Sequence, residues 1–164
     1  MMESKTQLIL LAELKTQGCT NLKLRQVTRR VSQLYDLEMA KAGLKTTQFS
    51  LLSHVTKLGP LRPGELAKKM KFSASTLTRN LKPLVDAGWV ELSAGSDARS
   101  RSVLVTAAGV AKQVQAREHW KAAQQTLNRV LGMERVLALH TLINESMDLL
   151  SALEIPSEPG ADDE

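Results

Sequence analysis

Side chains that could hydrogen-bond to another molecule are concentrated in the segment that begins at Ser73. They supply short hydroxyl groups, a guanidinium and an amide: Ser75, Thr76, Thr78, Arg79 and Asn80. Groups of this kind can read base edges in the DNA major groove, where an arginine paired with guanine gives ~1–3 kcal/mol of discrimination. Arg79 is therefore the first prediction for base readout, and a solvated helix face is the alternative interpretation.

The other reactive side chains form no catalytic or metal-binding pattern. His54, His119 and His140 are the only histidines, and none has a ligand spacing with Cys19 or with acidic residues. No nucleophile, base and orienting group converge by spacing, and none of the 9 glycines belongs to a phosphate-cradling loop. The sequence predicts no enzyme, no metal site and no cofactor.

The polar segment lies in a predicted helix. Ser73 is a suitable N-cap, because its hydroxyl can accept from a free backbone N–H of the first turn. The predicted buried stripe consists of Leu77, Leu81, Leu84 and Val85. Pro83 lies inside this helix, where a missing backbone N–H predicts a kink that leaves the earlier polar face undisturbed.

Three helices are predicted before this segment. A long amphipathic helix covers Leu22–Leu37, where apolar residues recur at steps of three and four. A second helix begins after Thr46 or Thr47, either of which can cap it, and stops at Gly59-Pro60. A short third helix has Pro63 at its first position and ends near Met70.

After Gly88 the pattern changes to short β-prone runs, 89–92 and 103–105. The small and charged residues between them predict a hairpin with a basic tip. Thr106 then caps a long helix, and Gly132 separates it from a last helix. The order of elements predicts a helix-turn-helix with a wing, in which one helix has the size that a major groove accepts.

Charge is unevenly distributed along the 164 residues. Net charge is +5, yet residues 1–105 carry 17 basic and 8 acidic groups, whereas residues 106–164 carry 5 and 9. A basic section of this kind indicates a polyanionic partner. From Glu154 the proline-, glycine- and acid-rich composition predicts a disordered tail.

Composition also indicates a cellular location. A single cysteine excludes a disulfide framework within the chain, which favours a cytoplasmic protein. The apolar run Leu8–Leu14 is far shorter than the ~20 residues of a membrane span, and no small-residue cleavage site follows it. We expect a short additional helix there, and no contact with a membrane.

The segment Phe49–Gly109 resembles the MarR family of bacterial winged-helix regulators. The resemblance rests on four motifs: PGELA at 63–67, SASTLTR at 73–79, LVDAGWV at 84–90 and DARSRSVLVTAAG at 97–109. The wing motif is the most specific, because its acid, arginine and closing strand have fixed spacing. With the flanking helices, the resemblance covers about residues 19–153.

The resemblance implies a mainly α-helical fold with a small β-hairpin wing. N-terminal dimerisation helices would occupy residues 1–45, the winged helix-turn-helix 46–106, C-terminal dimerisation helices 107–153, and the acidic tail 154–164. It also implies a homodimer that binds a pseudo-palindromic operator in double-stranded DNA. We expect a repressor that is released from DNA by a small aromatic or phenolic effector, since effectors in the family are often of this kind.

The resemblance also assigns roles to residues by position. Arg99 would be the wing residue that enters the minor groove, where a narrow groove concentrates negative potential, and Asp97 would hold it. Arg101, Lys82 and Lys69 would contact phosphates, which adds affinity without sequence choice. The sequence does not identify the effector pocket.

Two further functional hypotheses stay open. Some relatives are peroxide sensors with a cysteine in the region of Cys19, but they hold the thiolate with two tyrosines and this chain has one, Tyr35. Alternatively, the chain is an α-helical interaction module whose basic face binds an acidic protein rather than DNA.

Overall fold

The structure, a computed structural model, describes residues 18–93 and 101–153. The chain divides into two compact units, of which the first ends at Gln33 and the second begins at Leu34. In the first unit the described residues are almost entirely helical and expose the apolar side chains of Leu24 and Val27. Residues Leu8–Leu14 and the predicted tail lie outside the described part of the chain.

The described residues form six helices and one two-stranded antiparallel sheet. In chain order they are α1 (Thr20–Ala40), α2 (Thr46–Leu58), α3 (Pro63–Met70), α4 (Ala74–Asp86), β1 (Val90–Ser93), β2 (Ser102–Val105), α5 (Ala107–Leu131) and α6 (Met133–Ser151). The predicted mainly helical chain with a small hairpin is confirmed. The predicted domain boundaries after residues 45, 106 and 153 stay predictions.

Most predicted helix starts are confirmed. The Ser73 hydroxyl accepts from the Thr76 N–H at 3.2 Å, and the Thr106 hydroxyl accepts from the Gly109 N–H at 3.0 Å. Pro63 is the first residue of α3. α4 continues through Pro83 to Asp86, and the kink stays a prediction.

The predicted cap of α2 is wrong. Neither Thr46 nor Thr47 is the N-cap; that position belongs to Lys45, whose side chain makes no capping hydrogen bond. The Thr46 backbone N–H and hydroxyl both donate to Asp36 Oδ1, at 2.9 and 2.6 Å. The start of α2 is therefore supported by a carboxylate from the end of α1, in addition to the Gln48 side chain, which accepts from the Lys45 N–H at 2.8 Å.

The hairpin is held at its base by several backbone hydrogen bonds. Val90 pairs with Val105, and Ser93 pairs with Ser102 at the other end of the ladder. An isolated bridge joins Val103 to Leu61, which lies just before α3. The hairpin is therefore attached to the start of the helix-turn-helix as well as to its own partner strand.

The core of the second unit lies where α2, α4 and the hairpin meet. Its fully buried large side chains come from the end of α1, from α2, α3 and α4, and from both strands: Met39, Leu51, Leu52, Val55, Leu66, Leu84, Val90 and Val103. The predicted stripe of α4 is confirmed, with Val85 packed at the edge of the core. Burial of this stripe leaves the opposite face of α4 to solvent.

The two C-terminal helices bury few side chains. In α5 the buried positions are Gly109, Ala116 and Ala123, whereas Val110, Val114 and Val130 are exposed. In the described chain the only buried residue of α6 is Val136. No helix among the described residues is long and apolar enough to cross a membrane.

Candidate nucleic-acid interface

The turn between α3 and α4 sets the direction of the polar helix. Lys71 follows α3 in the left-handed region, with φ of 55°, and Phe72 donates its N–H to the Ala67 carbonyl at 2.9 Å. This geometry ends α3 and satisfies one of its last carbonyls. Ser73 then caps α4 two residues later, so the two helices are joined by a tight turn.

The solvent face of α4 carries five side chains that share one side of the helix. All five are exposed: Ser75, Arg79 and Lys82 lie opposite the buried stripe, and Ala74 and Thr78 lie along its edge. Four of them are among the residues that the sequence singled out, and Ala74 is an addition. Sequence analysis passed over Ala74 because its side chain has no polar group.

The remaining predicted residues of α4 are partly turned inward. Thr76 and Asn80 are half-buried, and the Asn80 amide donates to the Thr76 carbonyl at 2.8 Å. Ser73 is occupied by the cap and donates its hydroxyl to Thr76 Oγ1 at 2.9 Å. Ser75 and Arg79 are therefore better oriented towards a partner than Thr76 and Asn80.

The hairpin lies beside α4, and a groove of about 390 Å³ separates them. Lys82 and Arg101, both predicted phosphate contacts, lie along this groove. Its apolar lining includes Pro63, Leu81 and Leu92. Asp97 and Arg99 lie outside the described residues.

Positive charge is concentrated around this surface. α3 and the turn after it expose Lys68, Lys69 and Lys71, and α4 adds Arg79 and Lys82. Of these five residues, Lys82 has a described ion pair. Its Nζ lies 2.8 Å from an Asp86 carboxylate oxygen, and the side chains of both residues are exposed. Exposed pairs of this kind contribute little to stability, so Lys82 stays available to an anionic partner.

A second cavity, of about 760 Å³, lies between α2 and α5. Phe49 and Trp120 stand in it with ring centroids 6.5 Å apart, and Lys57 and Arg117 supply positive charge. His54 contacts the Ser50 carbonyl through Nδ1 at 2.8 Å. The sequence did not predict this cavity, although its residues recur at helical spacing on α2 and α5.

Cys19 is exposed and directly precedes α1. The single tyrosine, Tyr35, is buried in the second unit and donates its hydroxyl to Gln124. Burial raises the pKa of Tyr35 above its ordinary value of 10.0. The thiol-sensor hypothesis stays a prediction.

A short helix, a tight turn, a polar-faced helix and an adjoining hairpin together define a winged helix-turn-helix protein. Comparison with known proteins gives the family. The model of the MarR family matches residues 42–100. YwoH of Bacillus subtilis, an uncharacterized HTH-type transcriptional regulator, is 29% identical over 84 residues, which are 51% of this chain and 61% of YwoH.

Solved structures extend the likeness over most of the chain. The M. tuberculosis transcriptional regulator MosR is 27% identical, with a TM-score of 0.67 over 81% of this chain and 98% of MosR. A structure of MosR in complex with DNA is 30% identical, with a TM-score of 0.63 over 79% and 98%. The chain belongs to the MarR family of transcriptional regulators, a family of regulators rather than of enzymes, and the resemblance seen in the sequence is confirmed.

Proposed function

We propose that this chain is a sequence-specific DNA-binding regulator that acts as a repressor. The observation that carries the proposal is the exposed face of α4, where Ser75 and Arg79 stand beside the exposed lysines of α3 and of the turn after it. A B-DNA major groove about 12 Å wide admits one α-helix, and its base edges accept hydrogen bonds from such side chains. MosR, a relative of this chain, has been crystallised with DNA.

The proposed contacts fall into two groups. Arg79 and Ser75 contact base edges, while Lys69, Lys82 and Arg101 contact phosphates on either side of the groove. Arg99 in the wing, held by Asp97, enters the minor groove. Phosphate contacts fix the position of the protein, whereas base contacts determine which sequence it selects.

The proposed assembly is a homodimer. α6 exposes several large apolar side chains, with exposed fractions of 59% for Leu137, 52% for Met147 and 55% for Leu150. Exposed apolar area of this extent on one helix is typical of a protein–protein interface. A two-fold dimer presents two α4 helices to half-sites ~34 Å apart, about one DNA turn, which is why we expect a pseudo-palindromic operator.

Fluorescence anisotropy with DNA from the gene's own upstream region tests the DNA-binding proposal. If the dimer neutralises ~8 phosphates, the slope of log K against log salt is about −7. Arg79→Ala should remove the preference for the upstream DNA over scrambled DNA. Lys82→Ala should weaken binding to both DNAs equally and make the salt slope less steep. Lys121→Ala, an exposed lysine of α5, is the control. Binding that is independent of salt, or equal for both DNAs in the unmodified protein, contradicts the proposal.

The proposed effector is a small aromatic acid in the cavity between α2 and α5. Phe49 and Trp120 offer aromatic faces to a ring, and Arg117 and Lys57 offer positive charge to a carboxylate. A ligand that separates α2 from α5 favours a dimer with differently spaced α4 helices, which releases the operator.

Salicylate is a suitable probe of this cavity. It should quench the fluorescence of the unmodified protein and leave that of Trp120→Phe, which retains Trp89, unchanged. Arg117→Gln should require more than tenfold higher salicylate for DNA release, because a charged hydrogen bond contributes ~1.5–3 kcal/mol. Arg129→Gln, exposed on the same helix, should behave as the unmodified protein. Equal responses of the two arginine variants would count against this cavity.

A further inference from the structure

The hydroxyl of Thr78 is already engaged within α4. It donates to the Ala74 carbonyl at 3.0 Å, although Thr78 is exposed. Threonine in a helix often forms this bond to the carbonyl four residues earlier, which fixes its side-chain rotamer. With the hydroxyl turned to the helix backbone, the methyl group is the part of the side chain left on the exposed face.

Ala74 places a second methyl group on the same face. It is the first residue of α4, and Thr78 lies four residues later, one helical turn or ~6 Å along the axis. Ser75 and Arg79, each one residue further along the chain, are also four residues apart and so lie one helical turn from each other. The face proposed to contact DNA therefore consists of two neighbouring rows, one of methyl groups and one of polar groups.

We propose that Ala74 and Thr78 are specificity-determining residues that contact the 5-methyl groups of thymines. The proposal rests on the proposed DNA binding by α4. Among the groups that base pairs present in the major groove, the thymine methyl is the apolar one, and alanine and threonine methyl groups are its usual partners. Cytosine in the same place presents an amino donor and no 5-methyl group, so it loses the apolar contact with this row.

The spacing of the two rows limits the half-site. Methyl groups ~6 Å apart on the helix face thymines within about two steps of each other, since base pairs are stacked ~3.4 Å apart. Arg79 lies next to Thr78, so the guanine that it contacts neighbours these thymines. The half-site thus contains thymines next to a guanine, and Thr78 acts there as an apolar group rather than as a hydrogen-bond donor.

Replacement of thymine by deoxyuridine tests this inference, because it removes only the 5-methyl group. Operator fragments selected from random duplexes by the full chain are scanned with one such replacement at each thymine. In the unmodified protein, replacement at the contacted position should weaken binding about fourfold, the effect of one buried methyl-sized group. Anisotropy at fixed salt measures the loss.

Two matched variants separate the methyl from the hydroxyl. Thr78→Val keeps a methyl and removes the hydroxyl, so it should retain the fourfold sensitivity to deoxyuridine. Thr78→Ser keeps the hydroxyl and removes the methyl, so it should bind thymine and deoxyuridine operators equally. Ala74→Gly should lose the sensitivity at a different thymine of the same half-site and retain it at the first.

The outcomes distinguish this inference from the function on which it rests. Specific binding with no deoxyuridine effect at any position, or with the same effect in Thr78→Ser as in Thr78→Val, overturns the methyl contacts and leaves DNA binding intact. If the full chain selects no sequence from the random duplexes, the proposed function is wrong and this inference falls with it.

Discussion

Gly109 lies where α5 meets the base of the hairpin, and its lack of a side chain permits that approach. A Cβ atom at Gly109 would lie 1.9 Å from the Trp89 carbonyl oxygen and 2.9 Å from a methyl carbon of Val105. The Trp89 oxygen cannot move freely, because it accepts from the Thr106 N–H at 3.1 Å. Gly109→Ala must therefore push the first turn of α5 away from the hairpin.

The size of this effect follows from three contributions. Forcing a methyl group into a packed contact costs ~1–3 kcal/mol. The displacement also strains the Thr106 cap, which contributes ~1 kcal/mol. Alanine gains ~1 kcal/mol over glycine in helix propensity, which offsets the loss of the cap. The expected net loss in the free energy of unfolding is about 1–3 kcal/mol.

Urea denaturation followed by circular dichroism measures this loss, at one protein concentration because association shifts apparent stability. Gly64→Ala is the matched control, since Gly64 is exposed in α3 and a methyl group there meets no atom within 4 Å. That control should be unchanged or more stable by up to ~1 kcal/mol. If Gly109→Ala is as stable as Gly64→Ala, the close approach of α5 to Trp89 does not exist in solution.

Three other predictions concern the second unit. Lys71→Gly should raise the free energy of unfolding by about 1 kcal/mol, because Lys71 has a left-handed backbone with φ of 55° and glycine adopts it without strain; Lys71→Ala should show no gain in urea denaturation. Asp36→Ala should lower the thermal midpoint by removing the acceptor of two Thr46 hydrogen bonds, equivalent to ~1–3 kcal/mol, while Asp36→Asn, which keeps an acceptor oxygen, should lose less. Burial raises the pKa of Tyr35 above 10.0, so the absorbance of its phenolate should appear at higher pH in the folded protein than in urea. The contribution of Tyr35 to stability is constant below pH 10.0 and declines as pH rises beyond it. Identical titration curves of the folded and the unfolded protein would contradict this.

The helix-turn-helix was predictable because its determinants are local. Ser73 and Thr106 cap helices through backbone groups three residues away, and Pro63 starts α3 at the one position that tolerates it. The change from helical to alternating period after Gly88 indicated the hairpin. These features depend on neighbouring residues and so can be read from the sequence.

Features that depend on distant residues were missed. Asp36 accepts a hydrogen bond from the first residue of α2, Thr46, ten residues away. Because neighbouring residues do not indicate this contact, the sequence predicted a threonine cap instead. The cavity needs Phe49 of α2 opposite Trp120 of α5, and their approach is set by the packing of the core. The hydrogen bond from the Thr78 hydroxyl to the Ala74 carbonyl is local, but it depends on the side-chain rotamer, and the contact of Thr78 with DNA stays a prediction.

α5 is a long and unbroken helix, and its length has a mechanical consequence. Its 25 residues extend for ~37 Å, with the hairpin base at one end and the junction to α6 at the other. If the α6 end is held, a tilt of about 5° moves the hairpin end by ~3 Å, close to the ~3.4 Å rise of one base pair. On the proposed function, an effector would therefore need to rotate α5 only slightly to shift the DNA-binding surface by one base step and break its register with DNA.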